Sequence, residues 1–185
     1  MKHSDKRTRL IEAADKVVQL QGFNRTTLAD ITQEADIPLG NVYYYFKTKE
    51  EIGQALINHR TDLYGCQLSS WSALPDPRKR ILSLIKAVAD NHEMLTQSGC
   101  PIGSLCQELH KEGGPLADEA SAMFAAILTW LTTQFRLLGK GREAPSLALH
   151  LLSALQGASL LTHSFKDPKL IRGETTRLRQ WVDSM

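Results

Sequence analysis

Aromatic and basic residues are concentrated between Ile37 and Glu51, where the sequence reads IPLGNVYYYFKTKEE. A tyrosine ring can pack at the edge of a core while its hydroxyl donates to a phosphate oxygen, and a lysine neutralises phosphate charge. Asn41 adds a side-chain amide that can pair with adenine in the major groove through two hydrogen bonds. These residue types at this spacing therefore suit contact with duplex DNA.

Two short helices joined by a tight turn must position these side chains. Apolar residues at helical spacing predict a helix from Thr27 to Ala35 and a second helix, here called the recognition helix, from Leu39 to Phe46. Thr27 with Asp30 forms a variant of the capping box, and Pro38 suits the first turn of the recognition helix. This arrangement is the spacing of a helix-turn-helix.

The two faces of the recognition helix differ in character. Val42 and Phe46, four positions apart, can face the core, which leaves the tyrosines on the remaining surface. An aromatic corner of a helical bundle with solvated lysines is the alternative, but it leaves the exposed aromatic rings unexplained. N–H groups at both helix starts favour an anion, and a glycine in the recognition helix permits close approach. The predicted DNA contacts are Arg25, Thr26, Thr27, Leu39, Gly40, Asn41, Tyr43, Tyr44, Tyr45, Lys47 and Lys49.

The segment GFNRTTLADITQEADIPLGNVYYYFKTKEEI, from Gly22 to Ile52, resembles the DNA-binding domain of the TetR/AcrR family of bacterial transcriptional regulators. The resemblance implies a homodimer that binds a palindromic double-stranded DNA operator and usually represses transcription. The family residue that matches Leu39 is often basic, so this chain would exchange a phosphate or guanine contact for contact with a thymine methyl. The resemblance assigns DNA contacts to the residues that match Thr27, Asn41, Tyr43, Tyr44 and Lys49.

The rest of the chain is also predicted to be helical. A helix capped by Ser4 or Asp5 comes before the helix-turn-helix, and a fifth helix is predicted from Ile81 to Leu95. No strand is indicated, which gives an all-α class with about nine helices. We expect a helix-turn-helix DNA-binding domain over residues 1–47 and an effector-binding and dimerisation domain over 48–185, connected by the helix 48–70.

The last two predicted helices are candidates for dimerisation. The segment from Ser146 to Phe165 is apolar over much of its circumference, and the last helix runs from Pro168 to Val182. A buried core helix would have the same composition. Because a palindromic operator requires two-fold symmetry, a four-helix interface between two copies is the simpler account, and the TetR resemblance implies the same interface.

By the same resemblance, a pocket for a small apolar or aromatic effector is expected within helices four to eight. Core packing explains each candidate residue at least equally well. Effector binding would move the fourth helix and change the spacing of the two recognition helices relative to successive major grooves. The candidates for the lining are Leu68, Trp71, Met94, Cys100, Leu105, Leu109, Met123, Phe124, Ile127, Trp130 and Leu131.

Cys100 lies in the segment SGCPIGSLC at a predicted helix start, where the helix dipole stabilises a thiolate. Some TetR-like regulators carry a cysteine in a comparable segment and respond to oxidants or electrophiles, so a redox-responsive repressor is an alternative to a buried inert thiol. The three cysteines lack the paired spacing of a zinc site, and we predict no metal, cofactor or disulfide. Scattered surface positions explain His92, Glu93, Glu108 and His110 better than a metal site does.

Composition excludes several classes of protein. The formal charge of +2 is close to neutral, so any DNA contact must concentrate positive charge at a small site. No apolar run approaches the roughly 20 residues that span a bilayer, and the N-terminus lacks a signal peptide, so we expect a cytoplasmic protein without membrane contact. No enzyme motif such as HExxH or GxSxG occurs. A helical protein-interaction adaptor remains the alternative of another class.

Overall fold

The structure, a computed structural model, describes the backbone of residues 2–185 and the side chains from residue 6 onward. Ten α-helices and one 3-10 helix, with no strand, make up this described part, and the all-α prediction is confirmed. The helices are α1 (Lys2–Gln21), α2 (Leu28–Glu34), α3 (Leu39–Tyr45), α4 (Lys49–Ser72), α5 (Pro77–Asp90), α6 (His92–Ser98), α7 (Pro101–Glu112), α8 (Pro115–Leu137), the 3-10 helix (Gly141–Glu143), α9 (Ala144–Phe165) and α10 (Pro168–Asp183).

Two helix boundaries differ from the sequence prediction. The single helix predicted from Ile81 to Leu95 is broken at Asn91, whose backbone has φ −88° and ψ 18° and whose side-chain Nδ2 donates to a backbone carbonyl at 2.8 Å. This side-chain bond competes with the helical pattern, which the apolar periodicity does not reveal. At the N-terminus, α1 begins ahead of Ser4 and Asp5, whose side chains lie outside the described residues.

The chain forms two compact units. The first contains the chain up to Leu63 together with Ser104–Ser121, and the second contains Tyr64–Gly103 and Ala122–Met185. The start of α4 and most of α7 therefore pack with the first three helices, so this packing division differs from the functional boundary predicted at residue 47. The predicted functional domains stay a prediction.

The core of the first unit holds α3 in place by one face. Val42 and Phe46, the residues predicted to face inward, are 0% and 3% exposed and pack in one cluster with residues of α1, α2 and α4. Arg60 of α4 donates to Asp15 of α1 at 2.6 Å, and Arg9 of α1 donates to the carbonyl of Ala35, just after α2, at 2.6 Å. The helix-turn-helix is thus anchored to the helices before and after it.

The second unit is built around α9 and α10, which pack against each other. By length and composition alone, the segment Gly141–Phe165 could cross a membrane, which corrects the expectation that no apolar run approaches that length. A core helix of a globular protein passes the same test. One face of α9 is buried, and the other leaves four large apolar side chains exposed. These are Leu149, Leu160, Leu161 and Phe165.

Candidate nucleic-acid interface

The start of α2 is fixed by a reciprocal capping box. The Thr27 hydroxyl accepts the Asp30 backbone N–H at 3.2 Å, and the Asp30 carboxylate accepts the Thr27 backbone N–H at 2.8 Å. Hydrogen bonds from the Thr27 backbone and then from its hydroxyl hold the pKa of Asp30 below its usual range, because they favour the ionised carboxylate. The structure therefore has the capping box that the spacing of the two residues predicts.

The exposed face of α3 carries the tyrosines. Tyr43 and Tyr44 are 54% and 73% exposed, whereas Tyr45 is half-buried and packs at the edge of the core. The rings of Tyr44 and Tyr45 meet edge to face with centroids 5.1 Å apart. Leu39, at the start of the helix, is 45% exposed. The surface therefore presents aromatic rings and one leucine on a helix whose opposite face is buried.

Two other positions on α3 fit an external partner by their surroundings. Gly40 is exposed, and a Cβ placed there would have no atom within 4 Å, so internal packing does not require glycine at this position. Asn41 is half-buried beside it. The absence of a side chain at Gly40 thus leaves the start of the helix open to close approach from outside.

Thr26 is placed differently from its prediction as a DNA contact. Its side chain is only 3% exposed, and its hydroxyl donates to the Gly22 carbonyl at 2.7 Å. Its backbone N–H donates to the Phe23 carbonyl at 3.1 Å. The turn after α1 uses both polar groups of Thr26 to satisfy its own carbonyls, so we correct the prediction and remove this side chain from the interface.

The turn between α1 and α2 is held from two sides. Lys49 of α4 donates through Nζ to the Asn24 carbonyl at 2.9 Å and lies 4.8 Å from the centre of the Phe23 ring. Glu108 of α7 accepts the Asn24 backbone N–H at 2.9 Å. Sequence reasoning placed Glu108 among scattered surface residues, because its partner lies 84 positions away and no local pattern marks the pair.

Three further candidates lie just outside the two short helices: Arg25 and Thr27 precede α2, and Lys47 follows α3. Arg25 and Lys47 are exposed, and within residues 6–185 the structure gives neither side chain an ion pair. Thr27 is exposed as well, although its N–H is already bound to Asp30. Lys47 lies two positions after Tyr45, and together with Arg25 it supplies exposed positive charge in the helix-turn-helix segment, as DNA binding by a chain of nearly neutral net charge would require.

The predicted effector-lining residues lie in both compact units. Within the second unit the Trp71 and Trp130 rings have centroids 6.0 Å apart, and Trp130 Nε1 donates to Ser72 at 2.8 Å. Met94 and Cys100 both pack against one small buried cluster. Half-buried members of the set are Trp71, Met94, Cys100, Phe124 and Trp130, and buried members are Leu68, Leu105, Leu109, Met123, Ile127 and Leu131.

Comparisons with known proteins identify related helix-turn-helix transcriptional regulators. The family profile described as "Bacterial regulatory proteins, tetR family" matches residues 10–56. The HTH-type transcriptional repressor DhaR of Mycobacterium sp. (strain GP1) is 30% identical over 169 residues, covering 83% of this chain and 80% of that protein. The HTH-type transcriptional regulator LmrA of Bacillus subtilis (strain 168) is 24% identical over 171 residues, covering 90% and 91%.

Solved structures share the fold over nearly the whole chain. A TetR transcriptional regulator from Legionella pneumophila superposes with a TM-score of 0.83 at 24% identity, covering 95% of this chain and 94% of that one. The reduced form of Escherichia coli NemR superposes with a TM-score of 0.80 at 21% identity, covering 95% and 96%. Together with the tyrosine-bearing helix-turn-helix and the extent of the match to DhaR, these findings show that the chain belongs to the TetR family of bacterial helix-turn-helix transcriptional regulators.

Proposed function

We propose that the protein is a cytoplasmic, homodimeric repressor of nearby genes that binds a palindromic operator and leaves it when a small apolar or aromatic effector binds. The observation that carries DNA binding is the exposure of Tyr43 and Tyr44 on a helix whose opposite face, Val42 and Phe46, is fully buried. In this proposal residues 1–47 form the DNA-binding domain and residues 48–185 the effector-binding and dimerisation domain.

Each side chain of the interface has a proposed role. Helix α3 would enter the major groove, where the Asn41 amide pairs with adenine and Leu39 contacts a thymine methyl. Tyr43 and Tyr44 would donate to phosphates. A second group of positions would border the phosphate backbone: Arg25, Thr27, Gly40, Tyr45 and Lys47.

Lys49 has a positioning role in addition to any phosphate contact. An ammonium group carries three donors, and Lys49 uses one of them on the Asn24 carbonyl at 2.9 Å. The remaining hydrogens can reach a phosphate while the first holds the turn before α2. Its loss would therefore weaken DNA binding both directly and by releasing this turn.

Dimerisation through α9 and α10 is supported by the exposed apolar face of α9. Leu149, Leu160, Leu161 and Phe165 are each about half exposed or more, with Gly157 between them. Apolar side chains concentrated on one helix face are typical of a protein interface. Packing this face on its copy in a second chain would bury them in a four-helix interface and place two recognition helices on one DNA face.

Effector release is proposed to act through α4 and α7. Helix α7 begins at Pro101, directly after the candidate pocket residue Cys100, and carries Glu108, which holds the Asn24 backbone. A shift of α7 would pull on the turn before α2 through this hydrogen bond. An effector need only bind more tightly to the shifted state to lower the affinity for DNA.

Operator binding tests the proposal directly. A duplex selected by the protein from a random library should be palindromic, and log Kd should rise linearly with log salt concentration because phosphate contacts release counterions. Tyr44→Ala and Lys49→Ala should weaken binding at every salt concentration, while Lys140→Ala, outside the interface, should not. Failure to select any duplex, with salt-insensitive binding to a protein instead, would favour the adaptor alternative.

A cysteine-based trigger is the second candidate for release. Cys100 is half-buried just before the start of α7, and its sulfur accepts the Gly103 backbone N–H at 3.4 Å. Cys106, by contrast, is buried and donates to the Ala120 carbonyl at 3.2 Å. In a Cys66→Ser background, complete alkylation of Cys100 should lower operator affinity, and unchanged affinity would remove this trigger.

A further inference from the structure

A cleft of about 900 Å³ opens between α5 and α10 in the second unit. Its lining includes four lysine or arginine side chains, one carboxylate and two leucines. None of the predicted effector or DNA contacts lies in it. The charged lining residues are Lys79, Lys86, Asp90, Arg172 and Arg179, and Leu82 lines the cleft with them.

The two helices run in opposite directions along the cleft. Arg78, at the start of α5, donates to the backbone carbonyls of Val182 and Asp183 at the end of α10. At the opposite end, Arg172 of α10 lies 2.5 Å from the ring of His92, the first residue of α6. The start of α5 therefore lies beside the end of α10, so the two helices are antiparallel.

Within each helix, two cations of the cleft are spaced seven positions apart. Lys79 and Lys86 have this spacing on α5, and Arg172 and Arg179 have it on α10. At about 1.5 Å of rise per residue, seven positions correspond to roughly 10 Å along the axis. The antiparallel arrangement then groups Lys79 with Arg179 at one end and Lys86 with Arg172 at the other.

The positive charge of the cleft is only partly compensated. Lys86 pairs with Asp90 at 2.6 Å, and Arg172 donates to Nε2 of His92, whose Nδ1 donates to the Ala89 carbonyl at 3.0 Å. Across residues 6–185, the structure gives the side chains of Lys79 and Arg179 neither a hydrogen bond nor an ion pair. Like charges gathered in a cleft raise the local concentration of anions.

We propose that this cleft binds an acidic helical segment of a partner protein, with carboxylates about seven residues apart that meet the two cation groups. A small organic anion would leave much of its surface in water in so open a cleft, whereas ligand pockets bury most of theirs. A helix laid along Leu82 could bury an apolar side chain between its two carboxylates. This binding is independent of the operator-binding surface and would add a protein partner to the proposed repressor.

A labelled model peptide provides the test. The probe is a fluorescein-labelled, helix-forming peptide of about 18 residues with glutamates seven positions apart and leucines between them, measured by fluorescence anisotropy at several salt concentrations. The double variant Lys79→Glu/Arg179→Glu should bind it at least about tenfold more weakly than the wild type. The matched control Arg136→Glu/Arg142→Glu, which changes the net charge equally outside the cleft, should bind it like the wild type.

Several outcomes would overturn the proposal. Equal binding of a peptide with glutamine in place of glutamate, equal binding by the cleft variant, or an equal loss in the control variant would each show that the cleft does not select carboxylates. Dodecanoate binding without peptide binding would assign the cleft to a small anion, and binding of a non-operator duplex lost in the cleft variant would assign it to nucleic acid. Far-ultraviolet circular dichroism melting of every variant separates these outcomes from unfolding.

Discussion

The outer faces of α3 and α9 expose large side chains to a similar degree but have different neighbours. Tyr44 on α3 is 73% exposed, and Phe165 on α9 is 69% exposed. The tyrosine carries a hydroxyl and is followed along the chain by Lys47 and Lys49, whereas the phenylalanine follows two exposed leucines on a helix without Lys, Arg, Asp or Glu. Exposure alone therefore does not distinguish the two proposed partners, whereas the polar groups around the exposed ring do.

The two surfaces differ in composition because the two proposed partners, DNA and a second copy of the chain, offer different groups for contact. Phosphate oxygens accept hydrogen bonds from hydroxyl and ammonium groups, and the sugars can contact ring faces. A tyrosine beside a lysine therefore suits a phosphate backbone. The apolar side chains of a second copy of α9 offer neither hydrogen-bond donors nor acceptors. Association with them is stabilised by the removal of apolar surface from water. In the proposed dimer, the apolar composition of Gly141–Phe165, which by length could cross a membrane, would reflect a helix with one face in its own core and the other on a second chain.

Placing a charge on the exposed apolar face of α9 should have the largest effect on dimerisation and operator binding. Leu160→Glu would bury one unpaired carboxylate from each chain in the proposed four-helix interface, which we expect to raise the dimer dissociation constant by at least about 100-fold, or roughly 3 kcal/mol. Sedimentation velocity should show a monomer at micromolar protein, and operator affinity should fall with it. Leu137→Glu, at an equally exposed leucine of α8, is the matched control and should remain a dimer. A Leu160→Glu protein that stays dimeric would place the interface elsewhere.

Removing one oxygen from α3 should have the next largest effect. Tyr44→Phe keeps the ring and deletes the hydroxyl, so it isolates the proposed phosphate bond, for which a loss of about 0.7 kcal/mol per subunit is expected. Summed over the two subunits of a dimer, this is about 1.5 kcal/mol, or roughly tenfold in operator Kd. Electrophoretic mobility shift with the selected operator measures the loss. Tyr64→Phe on α4 should bind DNA like the wild type. Equal affinities of Tyr44→Phe and the wild type would mean that the ring, not its hydroxyl, makes the contact.

Sequence periodicity was sufficient to predict the orientation of α3 and the capping of α2. Val42 and Phe46 repeat at helical spacing, and their burial follows from that repeat. Thr27 and Asp30 are three positions apart, so their hydrogen bonds are local and can be read from the sequence. Features set by neighbours within about one helical turn were therefore predictable.

Features that depend on distant or turn-specific contacts were not predictable. Thr26 and Thr27 are adjacent and identical, and only the carbonyl of the turn after α1 decides that the first is buried and the second exposed. The break at Asn91 depends on which backbone carbonyl its amide finds, because the apolar repeat continues on both sides. The bond from Asn24 to Glu108 joins residues 84 positions apart, and only the packing of α7 on the first unit creates it.

Releasing the turn in front of α2 should have a smaller effect than deleting a contact. Glu108→Gln removes the charge from the acceptor of the Asn24 N–H but keeps its size, so the turn should loosen without collapsing, at a cost of about 1 kcal/mol or roughly fivefold in operator Kd. Faster hydrogen exchange at the Asn24 amide would accompany the loss. Glu112→Gln, an exposed neighbour on α7, serves as the control. An unchanged exchange rate at Asn24 together with unchanged affinity would leave Glu108 without a role in positioning the interface.

The smallest effect is expected from one methyl group on α3. Gly40→Ala adds a Cβ that no atom of the chain approaches within 4 Å, so it should raise the free energy of unfolding by up to about 1 kcal/mol, because alanine favours the helix. If DNA approaches the start of α3 closely, the same methyl group should weaken operator binding by roughly threefold or more, so stability and affinity would move in opposite directions. Gly65→Ala in α4 also meets no atom within 4 Å and should raise stability without changing affinity. A gain in stability at both positions with unchanged affinity at both would show that α3 does not meet DNA at Gly40, and the open space there would need another explanation.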